Sequence, residues 1–172
     1  MKHRGILDFD APIEWKDTET EGFVEEFVEQ SAGRLNRKEG QLLMQLLEEY
    51  IEKVGGERIL DERIDFGLIS PYKAQVYYLR SLLARNKNLK PYRKLITINS
   101  VDGFQGQERD VIILSLVRSN EKGDIGFLSD FRRMNVAITR ARMKLIILGN
   151  VATLTKHAFY RKLYQMCEDK DH

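Results

Sequence analysis

At 172 residues the chain is long enough for one domain with a full core. A net charge of +2 implies little by itself, but residues 1–89 hold 13 basic against 17 acidic side chains, net −4, and residues 90–172 hold 15 against 9, net +6, which places an anion-binding surface in the second half. One cysteine, Cys167, excludes an internal disulfide framework, the N-terminus lacks the apolar core of a secretory signal, and no apolar run approaches membrane-spanning length. A cytoplasmic protein with no membrane partner is expected.

Ala11 to Trp15 reads as a short strand, and Phe23, Val24, Phe27 and Val28 among Glu25, Glu26 and Glu29 as a helix or ordered loop. Asn36 with Glu39 three residues on is a capping-box variant; Leu42, Leu43, Leu46, Leu47, Tyr50, Ile51 and Val54 then follow at helical spacing until Gly55-Gly56 stops the helix. Ile59-Leu60-Asp61-Glu62 superficially resembles a magnesium-binding Asp-Glu after a strand. Only two apolar residues precede the acids, so a surface turn is the expectation. Ile64 to Ser70 reads as a strand, Pro71 as a break, Gln75 to Asn86 as a helix with Val76, Leu79, Leu82 and Leu83 inward, and Leu95 to Val101 as another strand.

A loop bearing Gly103 and Gly106 comes next, with Asp102, Gln105 and Glu108 as polar side chains, and then the buried-strand run Val111 to Val117. From Arg132 to Arg142 the chain reads as a helix, with Arg133, Ala137 and Arg140 on one face and Met134, Val136, Ile138 and Ala141 packing inward. Guanidinium groups held together repel, so an anion or acidic neighbour is needed, and their planar forks suit phosphate. Lys144 to Gly149 is a further strand and His157 to Glu168 a closing helix. The pattern β-α-β-β-α-β implies an α/β fold, a mostly parallel sheet with helices on both faces whose ligands gather at the carboxyl ends of the strands.

Ser100-Val-Asp-Gly-Phe-Gln-Gly-Gln-Glu108 resembles motif V of superfamily 1 helicases, Asn135-Val-Ala-Ile-Thr-Arg-Ala-Arg142 resembles motif VI, Gly126-Phe-Leu leads into it, and Ile69-Ser-Pro-Tyr-Lys-Ala-Gln75 resembles motif IV. The likeness covers Asn36 to Leu163 and is to the superfamily 1B branch that includes the nonsense-mediated-decay helicase and the immunoglobulin mu-binding helicase. It implies a RecA-like, three-layer domain over residues 34–172, with residues 1–33 supplying a strand and connecting segment of the same domain.

These motifs belong to the second of two motor halves, so the resemblance implies an N-terminal RecA-like partner domain in the same parent protein, binding most of the ATP and Mg2+. None of the twelve glycines begins a Gly-x-x-x-x-Gly-Lys-Ser/Thr cradle, and the fragment is expected to be inactive alone. No residue here is expected to be a metal ligand.

By the same resemblance Arg140 is the arginine finger, Glu108 accepts from a ribose hydroxyl, and Gly106 lets the backbone approach the nucleotide. Tyr72 stacks on adenine or is an ordinary buried tyrosine. Gln75 and Arg133 complete the nucleotide set, with Val76 standing where some relatives have a phosphate-contacting arginine and Lys73 or Arg133 as candidate substitutes. Arg142 binds phosphate or braces the motif V loop through Asp102 or Glu108. Single-stranded DNA or RNA is expected along Ser100, Asp102 and Gln105, with Arg93 and Lys94 beside Tyr92 as a second basic patch. The rival reading is a RecA-like scaffold that binds nucleic acid or protein without turnover. A nuclease site built from Asp102, Glu108 and Asp110 explains less than motif V does.

Overall fold

A computed structural model describes residues 12–19, 22–28 and 33–168. In chain order the elements are β1 (Ile13–Asp17), β2 (Glu26–Val28), β3 (Gly33–Leu35), α1 (Arg37–Val54), α2 (Gly56–Glu62), β4 (Phe66–Ile69), α3 (Lys73–Arg85), β5 (Ile96–Asn99), β6 (Arg109–Ser115), α4 (Phe131–Ile138), β7 (Ala141–Gly149), α5 (Val151–Leu154) and α6 (Ala158–Glu168). Short 3-10 turns lie at Lys90–Leu95, Asp102–Phe104 and Gly126–Ser129. Five strands form one sheet in the order β1-β7-β6-β4-β5, and every pairing in it is parallel.

Successive residues of the central strands feed opposite cores. Val111 and Ile113 of β6 and Ile146 and Leu148 of β7 meet Leu43 and Leu47 of α1, Ile59 of α2 and Leu79 of α3. Ile112, Leu114, Leu145 and Ile147 meet Met134 and Ala137 of α4 and Tyr160, Leu163 and Cys167 of α6. Period-two alternation with both faces covered is why these strands read as unbroken apolar runs. Each fully buried apolar side chain of this kind contributes roughly 1.5–3 kcal/mol. The result is the expected three-layer, RecA-like α/β fold. Among the described residues no helix is long and apolar enough to cross a membrane.

Four local expectations change. Residues 26–28, read as helix or ordered loop, form a strand paired antiparallel with β3. Ile59 to Glu62, read as a surface turn, belongs to α2, because Ile59 and the following Ile64 drop fully into the core; Gly55, at φ 103, turns the chain between α1 and α2. The N-terminal strand runs on past Trp15 to Asp17, and Ala11, its expected start, lies outside the described residues. The arginine-rich helix stops at Ile138, since the Arg140 carbonyl accepts from Arg109 N at 3.0 Å and Ala141 already pairs with Arg109 in the sheet.

Asn36 caps α1 by accepting from Glu39 N at 3.1 Å, but Glu39 does not reciprocate, so only half of the expected capping box forms. The Asn36 N–H donates instead to Gln75 Oε1 at 3.0 Å, while Glu39 turns into the interior, where its Oε1 accepts from Ser115 Oγ at 2.6 Å and Val117 N at 2.8 Å. Its Oε2 and the buried Thr18 Oγ1 have no partner within hydrogen-bonding distance. Burial pushes the Glu39 carboxyl up to about 7, against the Ser115 and Val117 hydrogen bonds, which pull it down.

Because the folded value lies above the unfolded one, Glu39 favours folding most below about pH 4.5, and that contribution is lost as pH rises towards 7. The loss amounts to about 3 kcal/mol at 1.36 kcal/mol per pH unit. Urea melts at pH 5 and pH 8 should therefore show lower stability at the higher pH, with Glu39→Gln removing most of the difference. A Glu39→Gln protein retaining the full pH dependence would show that another group causes it.

Candidate functional site

At the carboxyl edge of the sheet, Pro71 to Ala74 after β4 and Ser100 to Asp102 after β5 face Phe127, Arg133 and Gly33 across a cleft of about 270 Å3. A second hollow of about 220 Å3 shares Val101, Asp102 and Arg133 with it and continues past Gln105, Asp130, Arg132 and Val136. The two make one groove between the β5–β6 connection and α4. It gathers Ser100, Asp102 and Gln105, expected to touch nucleic acid, together with Tyr72 and Arg133, expected to touch nucleotide. Arg133 Nε lies 3.4 Å from Asp102 Oδ1 and 4.0 Å from Asp130 Oδ2, so local acids partly satisfy it.

The wall of this cleft is tied together by contacts that the sequence hides. Val117 has φ 70, rare for a β-branched residue, in a three-residue turn closed by Arg118 N donating to Leu116 O at 2.7 Å. The turn is held from both sides: Asn36 Nδ2 donates to Val117 O at 3.0 Å, and Val117 N donates to Glu39. It sends the Arg118 side chain, 5% exposed, to Glu25, with Nε 3.1 Å from both carboxylate oxygens, while Nη1 donates to Tyr72 Oη at 3.2 Å. Glu25 also accepts from Ser119 N and Asn120 Nδ2, each at 2.7 Å. Burial works against the Arg118 charge, yet Tyr72 and Glu25 outweigh it and raise the guanidinium pKa above its usual value. Tyr72 Oη donates to Ile125 O at 3.2 Å, and the ring stacks on Phe127 at 5.3 Å between centroids.

Other expected residues stand elsewhere. Gln75 is fully buried, donating to Asn36 O and Ser115 Oγ and accepting from Asn36 N, so its amide is spent within the fold and not offered to a nucleotide. Val76 is 3% exposed in the core between α1 and α3, so that position faces packing and not phosphate; of the two candidate substitutes, both Lys73 and Arg133 line the cleft.

Glu108, Arg140 and Arg142 lie at the amino ends of β6 and β7, across the sheet from the Tyr72 cleft. The segment from Ser100 to Glu108 starts at the carboxyl edge and leaves it, because it runs from the end of β5 back to the start of β6. Gly106, with φ 75 and open space around its α-carbon, makes that reversal possible. Arg133 and Arg140 do not share a helix face, since α4 ends between them.

Arg142 is exposed but committed: Nε donates to Asp110 Oδ1 and Nη2 to Asp65 Oδ1, each at 3.0 Å. Its bracing partners are these acids at the strand starts, not Asp102 or Glu108. Burial lowers its pKa, and the Asp110 and Asp65 contacts more than restore it, leaving a raised value. Arg140 is half-buried and folds back on α4, with Nε donating to Val136 O at 3.1 Å and Nη2 to Thr139 Oγ1 at 3.2 Å. Arg93 and Lys94 are exposed in the turn before β5, at the opposite strand end from Ser100, and Arg93 donates to Ala84 O at 2.7 Å. Tyr92, proposed as their aromatic companion, packs against the core.

A RecA-like lobe carrying the second-half motifs of a superfamily 1 helicase is the class this fold and these loops define. Residues 3–152 match a family model described as an AAA domain, and the chain belongs to that family. It is 39% identical over 164 residues to the DNA polymerase alpha-associated DNA helicase A of Saccharomyces cerevisiae, covering 94% of this chain and 23% of that protein. Identity to the ATP-dependent helicase upf1 of Schizosaccharomyces pombe is 39% over 137 residues, 79% of this chain and 14% of the relative. To a Regulator of nonsense transcripts 1 homolog of Arabidopsis thaliana it is 51% over 98 residues, 56% of this chain and 8% of the relative. The Arabidopsis relative bears the nonsense-transcript name of the branch that the motifs resemble, and the chain spans less than a quarter of the length of each of the three.

Proposed function

We propose that the chain is the C-terminal motor half of an ATP-dependent DNA or RNA helicase or translocase, with its two functional edges serving two ligands. Nucleotide belongs to the flank where Arg140 and Glu108 stand, sandwiched against an N-terminal RecA-like domain that supplies the phosphate cradle. Mg2+ goes with that other domain, as the family resemblance implies. Nucleic acid belongs to the carboxyl-edge cleft, where Lys73, Ser100 and Arg133 present cations and a hydroxyl. This assignment moves Tyr72 and Arg133 from the nucleotide set to the strand set. Arg93 and Lys94, across the sheet, are left out of the groove.

The observation that carries the reading is the state of Arg140. Unlike Arg118, Arg133 and Arg142, it meets no carboxylate among the described residues and is held only by a carbonyl and a hydroxyl. Val136, whose carbonyl holds it, also lines the groove. An uncommitted guanidinium at a domain edge is what charge stabilisation across a lobe interface requires.

The test is ATP hydrolysis by the complete protein with and without single-stranded DNA or RNA. Strand-stimulated turnover is expected, and none from the 172-residue chain alone. Tight strand binding with no turnover by the complete protein would replace the motor with a non-catalytic scaffold.

A further inference from the structure

We propose that Phe127 is a stacking platform for an unpaired nucleobase of the strand that crosses the carboxyl-edge cleft, an inference that rests on the nucleic-acid reading of that cleft. An exposed phenylalanine is ordinary in itself. Phe127 differs in how firmly it is held while 56% exposed. Its ring lies on Tyr72, with centroids 5.3 Å apart and planes inclined by 26°, and Tyr72 is only 3% exposed. Tyr72 is pinned by Arg118 and by Ile125 O, two residues before Phe127.

The backbone under Phe127 is equally constrained. Gly126 takes φ 48, and a β-carbon there would collide with Arg118 Nη1, so Gly126 lets the turn close down on the buried guanidinium. Asp124 Oδ1 accepts from Gly126 N at 3.3 Å, and Ser129 Oγ donates to Gly126 O at 2.8 Å. A buried ion pair, a strained turn at Val117 and a glycine of positive φ thus converge on presenting one aromatic ring to solvent.

The surroundings select the occupant. Lys73 and Arg133 line the same cleft as Phe127, and Arg132 extends the cationic edge beyond it. Two acids stand here, Asp102 and Asp130, and Arg133 faces both, at 3.4 and 4.0 Å, which leaves Lys73 and Arg132 as the surplus cations. Cations beside an exposed aromatic face suit a phosphodiester strand whose bases have left their partners, since the ring accepts any base and the cations track the backbone.

The test compares binding of a labelled oligothymidylate and an abasic strand of equal length by the complete protein, with Phe127→Ala and Phe127→Trp. Phe127→Ala should weaken oligothymidylate binding about 5- to 100-fold, the effect of losing one stacked base, and leave the abasic strand and the salt dependence of binding unchanged. Phe127→Trp should restore affinity. Equal weakening of both strands would mean the ring only supports the fold. Loss of affinity for a non-hydrolysable ATP analogue in place of the strand would move the ring to the nucleotide. Either result, or unaltered binding of both strands, overturns the platform while leaving the motor reading in place; failure of the unsubstituted protein to bind any strand overturns both.

Discussion

Arg140→Ala in the complete protein is expected to lower strand-stimulated ATP turnover by roughly 10³- to 10⁵-fold, the range for removing an arginine finger. Folding should barely notice. The side chain is half-buried and gives up only bonds to Val136 O and Thr139 Oγ1, and its loss leaves no carboxylate stranded among the described residues. Substitutions of that sort cost within about 0.5 kcal/mol to 1 kcal/mol. Strand affinity without nucleotide should also hold, because Arg140 itself lines neither hollow of the groove. Arg140→Lys keeps the charge and loses the planar fork, so turnover should recover only in part. The measurement is kcat with saturating strand, read beside a urea melt and a strand titration. Turnover within ten-fold of the unsubstituted protein would remove Arg140 from the chemistry.

The contrast with Arg142 shows what the sequence could and could not convey. Both arginines stand in one motif two residues apart, and composition gives them equal claim to a phosphate. Only the pairing of β7 with β6 separates them, since it sets Arg142 against Asp110 and Asp65 and leaves Arg140 on the connection from α4. The fold itself was legible, because unbroken runs such as Val111 to Leu116 and the spacing of Leu43, Leu47 and Ile51 are local signals that tertiary contacts reinforce.

Other features were illegible for the same reason that Arg142 was ambiguous. Gln75 looks like a motif side chain until Asn36, 39 residues away, occupies its amide. Glu39 looks like a helix cap until Ser115, 76 residues away, draws it inward. Arg118 and Phe127 were visible only as members of loops. A lone Val-Arg-Ser-Asn gives no sign that its first residue will adopt a positive φ, and Gly126 was the one available hint, as a glycine directly before an aromatic.

Glu25 illustrates this furthest and carries the second large effect. In the sequence it is one acid among several in an N-terminal stretch; in the structure its carboxylate joins the segment just before β2 to residues 93, 94 and 95 positions away, namely Arg118, Ser119 and Asn120. Arg34 adds a second guanidinium at 3.1 Å. Removing it by Glu25→Ala leaves Arg118, 5% exposed, with Tyr72 Oη and the largely exposed Asp124 at 3.4 Å, and leaves the Ser119 N–H without its acceptor. Breaking one side of a buried pair costs about 3–5 kcal/mol, most of it the penalty of an uncompensated charge.

A urea melt of Glu25→Ala should show a loss of that size, and Glu25→Gln a smaller one, since the amide oxygen can still accept from Ser119 N. Arg118→Ala combined with Glu25→Ala should cost less than the sum of the two, because the double substitution strands neither charge. If Glu25→Ala costs under about 1 kcal/mol, or the two losses simply add, the carboxylate does not organise this edge. In that case the Tyr72 and Phe127 rings must take their rigidity from packing against α4 and the turn at Gly126 alone.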